Sequence, residues 1–368
     1  MGNVLEFSNT RINSSELNSG NYVSTENILQ NFQGIVKARS IPEDTNVMAF
    51  SCGNILLSNI RPYLKKVWKA TFNGGCSSDV FVLQANSNID ADYLHYVVAN
   101  DKFIGFVMNG AKGVKMPRGD KNQMKTYSLS LPSIKEQRKI SRFLSFLDER
   151  IAVQSRLIDR LQSLIKGIMV KLQQQGLSKG TWKRVPLSSI LKERTELNEG
   201  LLPVYSVSVS QGVVNQMEYL GRSFAAKDTS KYHVAHFGDL IYTKSPTGSF
   251  PYGIVKQNSN RYKVAVSPLY GVYTPANYFT GVFLQEYFKS EVNTFNYLHS
   301  LIQKGAKNTI NITNQRFLDN YILIPTDSND LQQISNLLLR LNAKKDLMQN
   351  MLQQYQEQKQ YLLRQMFI

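Results

Sequence analysis

Two cysteines, four histidines and no pair of adjacent prolines leave this chain short of material for several common chemistries. Cys52 and Cys76 lie in one half and have no counterparts in the other, so a disulfide framework is absent. Both read as ordinary buried or half-buried thiols of a reducing cytoplasm. No apolar run reaches the length of a membrane span and no signal peptide is recognised, which also points to the cytoplasm. The GxxxxGK[ST] phosphate loop is missing, as is a glycine-rich cofactor fingerprint after a strand, and the NPP-type motif of amino-methyltransferases needs prolines side by side. His233 and His236 stand as HVAH without a cysteine pair or a third ligand nearby, and read as loop or core histidines. Glu357 and Lys359 have the ExK spacing of some nucleases but no supporting acid upstream; they read as helix surface and seam. These absences argue against catalysis and predict no metal or other cofactor.

What the chain does have is a long helical repeat. From Ile140, steps of four and three give Leu144, Leu147, Ile151, Gln154, Ile158, Leu161, Ile165, Ile168 and Leu172, a coiled-coil seam with one polar position. Pro132 is expected to end a preceding strand at SLSLP, Ser133 and Glu136 form a capping box after it, and Gly176 is the expected stop. Residues 133–175 would make a rod of about 64 Å, which needs a partner helix. From Ile334 the same steps give Leu338, Leu341, Lys345, Met348, Leu352, Tyr355, Lys359, Leu362 and Met366. The partner is the end of the chain.

The repeat extends beyond these helices. GNILLSNIRP (53–62) matches GDLIYTKSP (238–246), the GAK at Gly110–Lys112 matches that at Gly305–Lys307, and SLSLP (128–132) matches YILIP (321–325). NYVSTENI (21–28) is echoed by VYSVSVSQG (204–212). Aligning LSSIL with GNVL shows that the first copy lacks about six residues present in TWKRVPLSSIL, so either the repeat is asymmetric or the start is trimmed. The pattern predicts four parts: a head at 1–132, a central helix at 133–176, a second head at 177–326 and a last helix at 327–368. Short alternating and β-branched runs, then the helical segment IDADYLHYVVANDKFIGFVM, make each head α+β. The second helix can bury its seam only by running back along the first, so the expected fold is two similar α+β domains separated by two long helices in an antiparallel coiled coil. A pseudo-two-fold repeat of this kind places the heads at opposite ends of a strut, like a calliper.

Charge supplies the first functional signal. The net +16 is spread as +3, +5, +7 and +1 over residues 1–132, 133–175, 176–326 and 327–368, and the pI is near 9.6. That is the footprint of a nucleic-acid binder, against the alternative of a generally basic protein. Candidate contacts lie in polar and basic loops. In the first head they are Lys37 and Arg39, then Arg61, Lys65, Lys66 and Lys69 interleaved with Tyr63 and Trp68, then Lys112, Lys115, Arg118 and Lys121 among glycines. In the second they are Gln211, Asn215, Lys244, Thr247, Ser249, Lys304, Lys307, Asn308 and Asn311. Lysines and glycine amides follow a phosphate backbone, while asparagine, glutamine and arginine can pair with base edges.

LPSIKEQRKISRFLSFLDERI (131–151), with its proline, EQ pair, isoleucine and LD–I run, resembles the proximal conserved region of the specificity (S) subunits of type I restriction-modification enzymes. GNILLSNIRPYL and GDLIYTKSP look like the recurrent strand and loop of that family's target recognition domains. The second copy departs from the pattern: IPTDSNDLQQI carries Leu331, Gln332 and Gln333 instead of EQ, and Asn342 stands at the position of Asp148. The resemblance implies target recognition domains that each read half of a split DNA site. It also implies two modification (methyltransferase) subunits and restriction (translocase and nuclease) subunits as partners on double-stranded DNA, with no chemistry by this chain. The alternatives are a coiled-coil scaffold that binds proteins without reading DNA, and an enzyme with an unrecognised site.

Overall fold

The computed structural model describes residues 1–222, 225–304 and 310–367. The chain is α+β and forms two compact units, Met1–Ser155 with Asn350–Ile368, and Arg156–Gln349. Both divisions fall inside long helices, Ile134–Ser178 and Ser328–Met366, so each unit holds one head and a stretch of each helix.

The first unit is built on an antiparallel sheet in the order Leu5–Phe7, Val80–Ala85, Ile55–Ser58, Val67–Lys69. Side chains alternate across a strand. Ile55 and Leu57 therefore face the helices Ala91–Val98 and Asp101–Asn109, while Leu56 joins Trp68, Val80 and Val82 against a second sheet. Burial on both faces explains why this strand reads ILL rather than as an alternating run. The second sheet runs Arg11–Asn13, Asn46–Phe50, Gly74–Cys76, Tyr22–Val23, with only the last pair parallel. The segment expected to be helical breaks into two helices, capped by the side chains of Asp90 and Asn100.

Both long helices close this unit's core. Leu144 is buried with Leu363 and Phe367 beside Tyr93, and Ile140, Leu147, Leu362 and Met366 pack around them. The Tyr96 hydroxyl donates to Asp148 (2.8 Å), Lys359 bonds the other carboxylate oxygen, and the Arg150 guanidinium lies 4.6 Å over the Tyr355 ring. Rising numbers on one helix meet falling numbers on the other, so the pair is antiparallel. The Ser133–Glu136 capping box forms, with Ser133 N–H and Oγ both donating to the Glu136 carboxylate (3.0 and 2.8 Å).

The second unit repeats the sheet order as Leu191–Glu193, Gly271–Pro275, Leu240–Tyr242, Val255–Gln257. Helices Tyr278–Phe288 and Glu291–His299 cover it. Tyr242 and Tyr273 stack on Phe317 at 4.6 and 4.9 Å, and Ile165, Met169, Leu331 and Leu338 enter the same core. Leu161, Leu172, Ile334 and Leu341 are partly buried around it. Of the remaining predicted seam positions, Ile158 is buried, while Ile151, Gln154, Met348, Leu352 and Tyr355 are half-buried.

Four expectations need correction. Gly176 does not end the helix, which continues to Ser178; the left-handed residue is Gly180 (φ +67°). Gly176 is instead a contact, since a Cβ there would sit 1.9 Å from Trp182 Cδ1. Gly176→Ala should therefore destabilise the second unit by about 1 to 3 kcal/mol through overpacking, read by thermal melting. Residues 128–132 form no strand, whereas Tyr321–Pro325 pairs with Trp182–Pro186. Cys52 is exposed, while burial pushes the Cys76 thiol up to about 12. Finally, the deepest positions at the end of the second helix are Leu363 and Phe367, one residue past the expected Leu362 and Met366. A straight helix drifts against a strict heptad, and here it faces the head as well as its partner.

Candidate nucleic-acid interface

In the first unit two loops far apart in sequence converge on a third, residues 59–65. The Arg61 N–H donates to the Pro117 carbonyl (2.8 Å) and Gly119 N–H to the Asn59 carbonyl (3.1 Å), which ties in the Lys112–Arg118 hairpin. From the other side, Asn31 and Phe32 donate their N–H groups to the carbonyls of Leu64 and Lys65 (3.1 and 2.9 Å). Four non-glycine residues at this junction have left-handed backbones: Asn31, Phe32, Arg61 and Lys65, with φ between 50° and 61°. Each such conformation costs about 1 to 3 kcal/mol unless held by its surroundings, and such residues gather at functional sites. Asn31 and Phe32 were not among the sequence candidates; the NFQG run, polar and glycine-ended, was the only trace of them.

The predicted cations of this unit fall into two groups. Lys37, Arg39, Arg61 and Lys115 are exposed and make no ion pair among the described residues. The others are tied internally: Lys65 to Asp101 (2.8 Å), Lys66 to the Thr25 carbonyl (2.5 Å), Lys69 to Asp92, Lys112 to Asp120 (3.1 Å) and Arg118 to Asp79 (2.9 Å). The backbone N–H of Gln123, then the Lys112 ammonium, hold the Asp120 carboxyl below its ordinary range. Lys121 lies 5.4 Å over the rings of both Phe7 and Phe81. Tyr63 is exposed, but Trp68 is buried edge-on against Phe50 (6.0 Å), so it belongs to the core and is no contact residue. Its place in a strand among basic residues disguised that role.

In the second unit the hairpin Tyr205–Ser208/Gly212–Asn215 presents Gln211 at an exposed turn. Lys256 braces it from beneath by donating to the Val209 carbonyl (2.7 Å), and burial lowers that ammonium to about 8. Asn215 is engaged as a helix cap for Met217 and Glu218. Lys244 is left-handed (φ +60°), half-buried, and lowered by burial, which the nearby Glu193 opposes. Thr247 closes a tight turn with Phe250, and Ser249 donates to Glu291 (2.6 Å). Lys304 and Asn311 lie in the paired strands Gln303–Lys304 and Ile310–Asn311; Lys307 and Asn308 lie outside the described residues. The histidines have local duties, His233 against the Tyr270 carbonyl (2.8 Å) and His236 against Glu196 (2.6 Å). Among the described residues no His, Cys, Asp and Glu cluster could hold a metal, and no helix is long and apolar enough to cross a membrane.

The basic, convergent loops of the first unit fall within residues 1–163, which match the family model for the type I restriction modification DNA specificity domain. That stretch belongs to the specificity domain family. The domain so defined runs from the first head into the first long helix and includes both the loop junction and Asp148. The EcoDI type I restriction enzyme specificity subunit of Escherichia coli is 28% identical over 126 residues, 33% of this chain and 28% of its own length. The MjaVIII specificity subunit of Methanocaldococcus jannaschii is 28% identical over 146 residues, 37% and 34% of the two lengths. The match therefore spans about a third of the length of these curated relatives. The S subunit of a type I restriction-modification system from M. genitalium superimposes with a TM-score of 0.64 at 14% identity, over 100% of this chain and 94% of that one. The fold is shared well beyond the specificity domain match.

Proposed function

We propose that this chain is the DNA sequence-specificity subunit of a type I restriction-modification complex. Its heads, residues 1–132 and 177–326, each read one half of a bipartite duplex site. Its long helices set the spacer and dock two modification subunits, which restriction subunits join; the chain itself breaks no bond. The repeated sheet order carries this reading, because it gives two separate frames for base-reading loops. One head gains only about 1 to 3 kcal/mol of discrimination per good bidentate contact, so two heads multiply a selectivity that one could not reach. Exposed apolar side chains on the first long helix support a protein partner there: Phe143, Phe146 and Val153 in the first unit, Leu157 and Leu164 in the second.

Mapping methylated bases genome-wide, with and without this gene, tests the reading. One bipartite motif should vanish with the gene, and an unchanged methylome in cells that express the modification subunits would refute it. The free cations make a second expectation. Replacing Arg61 and Lys115 by alanine should reduce the log–log salt slope of the complex on its site by about 2, at roughly 0.9 per phosphate contact, without lowering the melting temperature. An unchanged slope would move the phosphate contacts to other residues.

A further inference from the structure

The hairpin Lys112–Arg118 carries an unusual tip. Its ends are locked by reciprocal backbone bonds, Lys112 N–H to the Arg118 carbonyl (3.0 Å) and Arg118 N–H to the Lys112 carbonyl (2.9 Å). Pro117 is buried, its carbonyl holds Arg61, and the Arg118 guanidinium is fixed by Asp79. Yet Val114 at the apex is 99% exposed and Met116 46%. Gly113 (φ +95°) makes the turn that puts them there. A scattered exposed apolar residue is ordinary on a protein surface. One held at the tip of a braced loop, next to the exposed and unpaired ammonium of Lys115 and with Lys112 held by Asp120 at the loop's base, has an arrangement suited to an apolar feature beside a phosphate.

We infer that Val114 is a base-reading contact of the first unit and that it takes the C5 methyl group of a thymine in the major groove, with Met116 packing alongside. The inference rests on the reading of this chain as a DNA specificity subunit. A loop closed by a single bridge between Lys112 and Arg118 is narrow enough to enter the major groove, about 12 Å wide, and too broad for the minor groove of about 6 Å. A valine offers no hydrogen bond, and the apolar feature that bases present in the major groove is the thymine methyl. Lys115 then reaches a neighbouring phosphate. Because the loop is already ordered, little conformational freedom is lost on contact.

The test uses the complex of this chain with its modification subunits and a duplex carrying the mapped site. Each thymine of the site is replaced in turn by deoxyuridine, which removes one methyl group and no hydrogen bond. One replacement should weaken binding by about fourfold, the transfer of a single methyl from water. In the Val114→Ser complex that same replacement should have no effect, while the salt slope stays as it was because the cations are untouched. The inference is overturned if no deoxyuridine weakens the wild-type complex. It is also overturned if the penalty survives Val114→Ser, or disappears only in Met116→Ala. Specific binding with a penalty indifferent to Val114 removes this inference alone. Failure to prefer any sequence removes the specificity-subunit reading with it.

Discussion

Inserting one heptad into each long helix, after Ser155 in the first and after Gln349 in the second, should lengthen the spacer of the recognised site by two or three base pairs and leave both half-sites unchanged. Seven helical residues add about 10 Å, and the duplex rises about 3.4 Å per base pair. Both helices pass from one compact unit to the other at these positions, so the insertion touches neither core. A full heptad keeps the seam in phase. The sequence alone suggests a simpler change, four residues near Gln174, but that site lies between Met169 and Gly176, which pack on the core of the second unit and on Trp182. Binding should weaken as well, since each added base pair turns the second half-site by about 35° around the duplex. Methylation mapping of the variant decides the matter. An unaltered spacer in an active complex would show that the helices are a tether, and altered half-site bases would show that they read DNA.

A second large effect is expected at Asp239. Its carboxylate is 2% exposed and accepts from Arg194 Nε and NH2 (2.6 and 3.3 Å) and from His236 N–H (2.8 Å), and Arg194 is itself only 22% exposed. Asp239→Ala leaves a largely buried guanidinium with Glu196 (3.6 Å) in place of its close, two-pronged partner, so the cost approaches that of a broken buried pair, about 3 to 5 kcal/mol. The first unit shows how the site can work without ions. There Asn54 accepts from Ser51 N–H (2.9 Å) as Asp239 does from His236, and Ser8 N–H bonds the Val82 carbonyl as Arg194 N–H bonds that of Val272 (2.9 and 2.8 Å). The pair Arg194→Ser with Asp239→Asn copies this arrangement and should recover most of the loss, since removing both partners of a buried ion pair is often nearly neutral. Hydrogen exchange of the second unit measures both variants. Equal losses in the single and double variants would contradict the account.

The parts of this fold that were legible in the sequence are those fixed by local period. The long helices announce themselves because a heptad of Leu and Ile extends past any compact head, and the ILL and LIY strands share one place in the two sheets. Residues whose role depends on distant neighbours were not legible. Gly176 looked like a helix stop, but its lack of a side chain makes room for Trp182. Trp68 sat among lysines and looked like a contact, yet strand alternation turns it inward. The candidate loops were found one at a time from their lysines and glycines. Their meeting at residues 59–65 is a tertiary fact, written in backbone bonds between Arg61 and Pro117 and between Phe32 and Lys65 that leave no pattern in the chain.

The way the second long helix seals the first unit has a consequence for synthesis on the ribosome. Leu363 and Phe367 are buried in that core, and the Asn100 side chain donates to the Leu363 carbonyl across 263 residues. The first head is made early but lacks these partners until the last turn of helix leaves the tunnel. At about 5 to 20 residues per second, the intervening residues occupy the ribosome for roughly 10 to 50 s. Throughout that interval Tyr93 and its neighbours present an open apolar face. The nascent chain therefore makes all of its second unit's sequence before its first unit is complete, and residues 350–367 act as the stopper that ends the exposure.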